Sequence, residues 1–375
     1  MKSLSVLNEE LLPLIDRSFP LPGRFRQSLK FDIAELSRLL TGSRGDRSET
    51  YLGKPNLLSA YLRYFLPWNL YRLCRLLPSL PITLEDGDAV TDLGSGPLTL
   101  VLALWMAKPE YRGLNLEFRC LDRTGAALEK GMELFRALAG KDCPWKIRPI
   151  RASLGAPIHG DKARLTTAVN LFNEVYQKIP EADRSWFNSM ADKNARLLNA
   201  LTAANGSILV MEPGNPRGGA FITALRAGLI PLGRLPIAPC PHQSPCPLDA
   251  AGKWCHFVFD TASGKGAAPP DLLKLSEAAG LPKERAALSF LLAGSASSAK
   301  NESSAGEFPV RIISDPFPVG SGIARYGCSE KGLILVTGTR EKVEAAESGA
   351  LIQTRLGPDS KRDQKSGALI AGLTD

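Results

Sequence analysis

The amino-acid sequence predicts an α/β chain: a Rossmann-like sheet, preceded by a helical region and followed by a small, cysteine-bearing β unit. Three observations predict it. From Asp88 onward, short apolar runs alternate with helical segments, the pattern of a parallel sheet with crossover helices. The first of these runs ends in the glycine turn Gly94-Ser95-Gly96. Further on, three of the seven cysteines and two of the three histidines fall within the seventeen residues from Cys240 to His256.

Composition bounds the class. A chain of 375 residues, 44% hydrophobic and 22% charged, is long enough for two or three domains with sizeable cores and is neither fibrous nor disordered. No run approaches the roughly 18 to 20 apolar residues of a membrane span, and the N-terminus lacks a secretory apolar segment. Seven cysteines, an odd number in so long a chain, fit a reducing compartment better than a disulfide framework, so a cytoplasmic location is expected. The formal charge is +8, and from Arg17 to Arg75 eleven Lys/Arg stand against four Asp/Glu, a net of +7. Such a region suits a polyanion such as RNA, or is a solvated helical surface; neither a membrane nor a DNA partner is expected.

Residues 1–85 read as helical. Leu7, Leu11, Leu12 and Ile15 recur at helical spacing, as do Phe31, Ile33, Leu36, Leu39 and Leu40, with Pro20 and Pro22 between the two groups. The aromatic stretch Tyr61, Tyr64, Trp68 and Tyr71, beside Arg63 and Arg72, reads either as a stacking face for RNA bases or as helix-packing core, and Pro67 is expected to break or kink it.

Residues 86–293 form the sheet domain. Ala89 to Leu93 is a strand; Gly94 and Gly96 let backbone pass close to a ligand; residues 98–106 form a helix whose N-terminus offers unpaired N–H groups. Residues 116–122 are a second strand ending in Asp122, thirty residues after Asp92, where a carboxylate can accept hydrogen bonds from ribose hydroxyls. Residues 146–152, 166–172 and 207–211 supply further strands, and a helix containing Trp186, Met190 and Leu198 is expected to stop at Asn205-Gly206. This order resembles the methyltransferase variant of the Rossmann fold, which binds S-adenosylmethionine at the carboxyl ends of its strands. The resemblance implies Asp92, Gly94, Ser95, Gly96, Asp122 and Asn173 as the cofactor-binding residues. Leu98 stands where a third glycine is usual, and its side chain is expected to crowd the cofactor. The last two strands are expected at 255–259 and 288–292.

The cysteine loop, residues 236–258, is an insertion in this domain. Cys240, Cys246 and Cys255 are soft donors one short of a tetrahedral set, and Cys328 is the candidate fourth. Zinc and an iron-sulfur cluster both fit such donors. Neither CxxC nor zinc-finger spacing is present. The Cys-Pro pairs favour an open, non-helical loop, while Cys74, Cys120 and Cys143 read as buried spectators. Residues 294–307 read as a flexible Ser/Ala/Gly-rich loop. Residues 308–375 form the small β unit, with a mobile tail after Gly357. Ser-Gly-Ala-Leu-Ile occurs twice, at Ser348 and Ser366, too short to count as a repeat.

Asp92-Leu-Gly-Ser-Gly96, Met211-Glu-Pro-Gly214, Pro239-Cys-Pro-His242, Trp254-Cys-His-Phe257 and Tyr326-Gly-Cys328 together resemble the methyltransferase-like small-ribosomal-subunit family of mitochondrial ribosome assembly, in a bacterial-type form. The resemblance covers roughly residues 50–340. It implies association with the small ribosomal subunit or its rRNA, and a 4Fe-4S cluster held by Cys240, Cys246, Cys255 and Cys328, with His242 and His256 flanking it. Two functions follow. One is an S-adenosylmethionine-dependent methyltransferase acting on that subunit; the other is a non-catalytic RNA-binding assembly factor with a structural Fe-S or Zn site. No catalytic base stands out: Asn173-Glu174 lacks the Pro-Pro-aromatic continuation of amino-group methyltransferases, and the Pro-Cys nucleophile of cytosine-C5 enzymes is absent. A radical enzyme is disfavoured, because its CxxxCxxC loop is missing.

Overall fold

The computed structural model describes residues 2–41, 51–176, 184–250, 253–262, 266–295, 307–320, 322–357 and 361–373. The chain forms two compact units, one made of Met1–Lys178, Leu201–Ala203 and Phe259–Ala286, the other of Ile179–Ala200, Ala204–Val258 and Ala287–Asp375.

The first unit begins with helices. Leu7, Leu11, Ile15, Leu29, Ile33 and Leu36 are buried as their spacing requires, but Phe31 lies off that stripe and is 66% exposed. Arg24, Arg26, Lys30 and Arg38 are exposed along the helix Gly23–Thr41; Arg44 and Arg47 lie outside the described residues. The aromatic stretch resolves as core rather than as an open stacking face. Tyr64, Trp68 and Tyr71 are buried, and their polar atoms bond to Leu281 O, Ser276 Oγ and the carbonyls of Asp260 and Gly266. Arg63 is also buried and pairs with Asp16. Pro67 does not break the helix. It sits in the first turn of Leu66–Leu76, where a missing N–H costs nothing, after a wider π turn over Tyr61–Phe65.

Four strands follow in this unit: β1 (Ala89–Leu93), β2 (Glu117–Asp122), β3 (Lys146–Arg151) and β4 (Ala163–Val169). Their order is β3-β2-β1-β4, with β1 parallel to β2 and β4, and β2 parallel to β3. The helices Thr99–Ala107 and Gly125–Ala139 make the crossovers. Strand β5 (Thr202–Pro213) starts in this unit, where Thr202 Oγ1 donates to Thr166 Oγ1 of β4 at 2.7 Å. The helix before it, Arg184–Leu201, ends at Leu201, so Asn205-Gly206 is not its stop signal but lies inside β5.

In the second unit β5 leads to β6 (Leu235–Ala238), β7 (Phe257–Asp260) and β8 (Arg285–Gly294), in the order β5-β8-β6 with β7 also on β8. Strand β8 is antiparallel to both β5 and β6. The parallel β3-β2-β1-β4 run of the first unit, with its crossover helices, is Rossmann-like. The end of the sheet differs from expectation, because Leu235-Pro-Ile-Ala238 is a strand despite its proline. It is an edge strand, where a missing N–H is tolerated.

The rest of this unit is a β-barrel. Strands β9 (Glu307–Ile312), β10 (Phe317–Val319), β11 (Gly322–Ser329), β12 (Gly332–Thr337), β13 (Leu351–Arg355) and β14 (Leu369–Leu373) run in the order β10-β11-β12-β14-β13-β9, and a further β11–β9 pairing closes the ring. Phe308, Val310, Ile312, Ile334, Val336 and Ala371 fill it. The tail is therefore not loose: β14 pairs with both β12 and β13. The two Ser-Gly-Ala-Leu-Ile copies lead into the neighbouring strands β13 and β14, each through a glycine of positive φ, Gly349 and Gly367. Of the loop expected at 294–307, residues 296–306 lie outside the described residues. Among the described residues no helix is long and apolar enough to cross a membrane.

Candidate functional site

Each unit gathers one set of chemically capable residues. In the first, β1 and β2 deliver Asp92 and Asp122 to the carboxyl edge of the sheet, and the chain turns sharply after β1. Gly94 and Gly96 adopt φ of +69° and +52°, which glycine reaches without a Cβ clash. The turn is pinned by its own backbone. Gly94 N and Ser95 N donate to Leu121 O at 2.8 and 3.0 Å, and Ser95 Oγ donates to Asp92 O at 2.9 Å. Asp122 completes the hold, with Oδ2 accepting from Gly96 N at 2.9 Å and Oδ1 from Thr124 N at 2.8 Å. Each carboxylate oxygen keeps a second lone pair for a ligand hydroxyl.

Asp92 is 1% exposed; Oδ1 accepts from Thr167 Oγ1 at 2.7 Å, and Oδ2 is buried with no partner. Burial is the main reason its carboxyl is pushed up to about 7, with the Thr167 and Ser95 hydrogen bonds acting the other way. Burial likewise raises Asp122, against the pull of its two backbone donors. Leu98 takes a left-handed conformation at φ +57° and is fully buried. It does not crowd the turn: its side chain packs at Gly131 of the next helix, where an added Cβ would lie 2.7 Å from Leu98 Cγ and 2.4 Å from Pro97 C. The covering of the turn comes instead from the segment after β4. A Cβ on Gly94 would meet Leu171 Cδ1 at 2.8 Å. Asn173, two residues further, is half-buried, and Glu174 pairs with Arg123 at 2.9 Å. Thus Asp92, Gly94, Ser95, Gly96 and Asp122 are brought together, with Asn173 on the adjoining segment. Sequence reasoning missed Thr167, Leu171 and Gly131, which carry no motif of their own. The fit to a nucleoside cofactor rests on Asp122 at the strand end, an unpartnered buried Asp92 oxygen and the glycine backbone at Gly96.

In the second unit Cys240, Cys246, Cys255 and Cys328 come from a loop, the start of a helical turn, the approach to β7 and strand β11. Pro247 opens the helix Pro247–Ala250, so the Cys246-Pro247 pair is not wholly in open loop. Burial raises the Cys240, Cys255 and Cys328 thiols, and mutual proximity adds to it: Cys255 feels Cys240, Cys328 and Cys246, and Cys328 feels Cys240 and Cys246. Two cations answer them, the buried Arg226 and the half-buried Arg311. Arg226 Nη2 donates to His242 O at 2.9 Å and Ser244 O at 2.8 Å, holding the Cys240–Cys246 loop. Arg311, paired with Cys328 across β9 and β11, donates through Nε to Pro239 O at 2.8 Å and through Nη1 to Gly349 O at 2.7 Å. His242 Nε2 lies 3.3 Å from Cys328 Sγ, and burial lowers this imidazole to about 4, so it is neutral near pH 7. His256 stacks on Trp254 instead. Ser289 Oγ anchors Cys255 O at 2.7 Å, and Trp254 covers Gly219 so closely that a Cβ there would lie 2.7 Å from its own. Among the described residues no group of three or more His, Cys, Asp or Glu is arranged to hold a metal ion. By residue type the thiols are soft donors, and they lie within electrostatic reach of one another and of two arginines. Neither arginine was legible in the sequence. Cys74 and Cys120 are buried as expected, whereas Cys143 is only half-buried.

Residues 185–334 match the family model Rsm22, described as mitochondrial small ribosomal subunit Rsm22. The match covers less than half of the chain. The Rsm22-like stretch contains all four cysteines and both arginines, and it excludes the glycine turn. No curated protein matches the chain. Among solved structures it is similar to a SAM-dependent methyltransferase from Geobacter sulfurreducens in complex with S-adenosyl-L-homocysteine, at 18% identity and TM-score 0.32, covering 57% of this chain and 72% of that one. It is also similar to magnesium protoporphyrin IX methyltransferase from Synechocystis with bound SAM, at 11% identity and TM-score 0.35, covering 72% and 95%. A methyltransferase from Pyrococcus furiosus gives 9% identity and TM-score 0.33, covering 56% and 88%.

Proposed function

We propose that this chain is an S-adenosylmethionine-dependent, methyltransferase-like protein that acts on the small ribosomal subunit or its rRNA, with a 4Fe-4S cluster held by Cys240, Cys246, Cys255 and Cys328. The observation that carries the cofactor reading is the Asp122 carboxylate bonded to Gly96 N, which joins the ribose-type acid of β2 to the glycine turn of β1. The cofactor, when bound, supplies an electrophilic methyl group. The chain's own part is positional: Gly96 permits close approach, Asp122 offers free lone pairs to ribose hydroxyls, and Asp92 holds the turn from beneath. The Rsm22 match supports the ribosomal partner. Thiol donors suit zinc and iron alike, and the family resemblance favours the cluster, which would join the barrel to the loop after β6. The cysteine usage supports a cytoplasmic location, although the family description names the mitochondrial subunit.

A second reading, a non-catalytic RNA-binding assembly factor with a structural Fe-S or Zn site, is favoured by Leu171 lying over Gly94 and by Glu174 being tied to Arg123. One experiment tests both parts. Protein purified without oxygen, as wild type and as Cys246→Ser, is analysed for iron, sulfide and zinc and titrated with S-adenosylhomocysteine by calorimetry. Stoichiometric iron and sulfide, lost in the variant, together with saturable nucleoside binding, are expected. Zinc alone would remove the cluster, and absence of nucleoside binding would leave the assembly-factor reading.

A further inference from the structure

The aromatic stretch Tyr61 to Tyr71 is core, with one exception. Tyr64, Trp68 and Tyr71 are at most 1% exposed and turn their polar atoms towards residues 260–281, whereas Tyr61 keeps partial exposure and points elsewhere. Residues three and four apart on an α-helix share a face, so sequence spacing aligns all four. The π turn over Tyr61–Phe65 breaks that alignment, because its i→i+5 bonding takes more residues per revolution. Phe65 then stacks on the Tyr61 ring at 5.9 Å between centroids and holds it in place.

The hydroxyl of Tyr61 arrives at the glycine turn. Gly96 is buried, and a Cβ built on it would meet one atom within 4 Å, Tyr61 Oη at 4.0 Å, so Tyr61 faces the place a side chain would take there. Asn69 and Thr99, the first residue of the helix that follows the turn, are polar neighbours that favour the ionised phenol but are outweighed by burial. The charged groups acting on it are Asp122 and Glu174, both acidic. Burial and these two carboxylates hold the phenol in its neutral form, able both to donate and to accept. A space bounded by glycine backbone, the Asp122 carboxylate bonded to Gly96 N, and a neutral phenol suits a nucleoside that carries hydroxyls.

We propose that Tyr61 is a cofactor-contacting residue, which the N-terminal helical region lays across the glycine turn so that its hydroxyl binds an S-adenosyl nucleoside together with Asp122. This rests on the cofactor reading above. It gives the N-terminal helices a part in ligand binding beyond a basic surface.

The test is calorimetric titration of the full chain with S-adenosylhomocysteine, using wild type, Tyr61→Phe, Tyr61→Ala and Tyr64→Phe, with the melting temperature of each recorded. Tyr64→Phe loses a hydroxyl bonded to Leu281 O, away from the turn, and serves as a control for folding effects. Loss of one hydrogen bond to ligand predicts binding about five- to tenfold weaker in Tyr61→Phe and weaker again in Tyr61→Ala, with Tyr64→Phe unchanged. If wild type binds and Tyr61→Phe binds equally well, the proposal fails while the cofactor reading stands. If Tyr61→Ala binds more tightly than wild type, Tyr61 is a plug in the cleft and the proposal is likewise overturned. If wild type does not bind, both fall.

Discussion

The glycine turn of the first unit and the thiol centre of the second are built on opposite plans. The turn is local: Asp92 to Leu98 are contiguous, Asp122 follows one crossover later, and hydrogen bonds to backbone N–H groups hold the shape. The thiol centre is non-local, since Cys240 and Cys328 are 88 positions apart and meet only because β11 closes a barrel against which Arg311 straps the loop at Pro239. The first keeps an orphaned oxygen on Asp92. The second concentrates thiols whose ionisation burial and mutual repulsion oppose. A turn held by its own backbone depends on local bonds, whereas buried thiols brought together stay neutral unless a positive charge offsets their ionisation.

Breaking the second plan should cost most. Under the proposed cluster, Cys328→Ser in metal-loaded protein would remove one of its four donors, and is expected to lower stability by on the order of 4 kcal/mol or more in urea unfolding, with loss of metal. A change within about 1 kcal/mol would make Cys328 an ordinary buried thiol and erase the contrast. The first plan is sharpened by pH. An unfolded aspartate titrates near about 3.9, while Asp92 in the folded chain titrates at about 7. The native state therefore holds this proton to higher pH, so the stability linked to neutral Asp92 is full below about pH 4 and is lost as pH rises through about 7, a change on the order of 4 kcal/mol at most. Asp92→Asn should flatten unfolding free energy against pH across that window, and a slope equal to wild type would place its origin in another group. The smallest effect is steric. Gly131→Ala sets a methyl against Pro97 backbone, with an expected loss of roughly 1–3 kcal/mol and weaker nucleoside binding as the turn shifts. Lost stability with unchanged binding would show that the turn keeps its shape without support from that helix.

Much of this was legible because it depends on short-range chemistry. The strand before Gly94, the glycine turn of Gly94 and Gly96, and an acid at the end of β2 all follow from residue type and spacing, and the structure carries each of them. Less legible were segments whose neighbours override their own preference. Leu235-Pro-Ile-Ala238 is a strand because β8 accepts it at an edge, and residues 369–373 are ordered because β12 and β13 flank them. Asn205-Gly206, a stop signal when read alone, is carried through as strand within β5. The left-handed turn at Leu98 sends an apolar side chain to Gly131 rather than over the turn, a direction that residue identity does not encode.

By itself the sequence determined the alternation of the sheet, the glycine turn with its acid, and the presence of four soft donors, because backbone freedom and donor chemistry belong to single residues and their immediate neighbours. Only the tertiary structure decided that those donors lie within electrostatic reach of one another beside Arg226 and Arg311, that the last strands close a barrel, and that Tyr61 leaves its aromatic neighbours to face Gly96. Each of these is a meeting of segments distant in the chain, fixed by pairing and packing that no local spacing specifies.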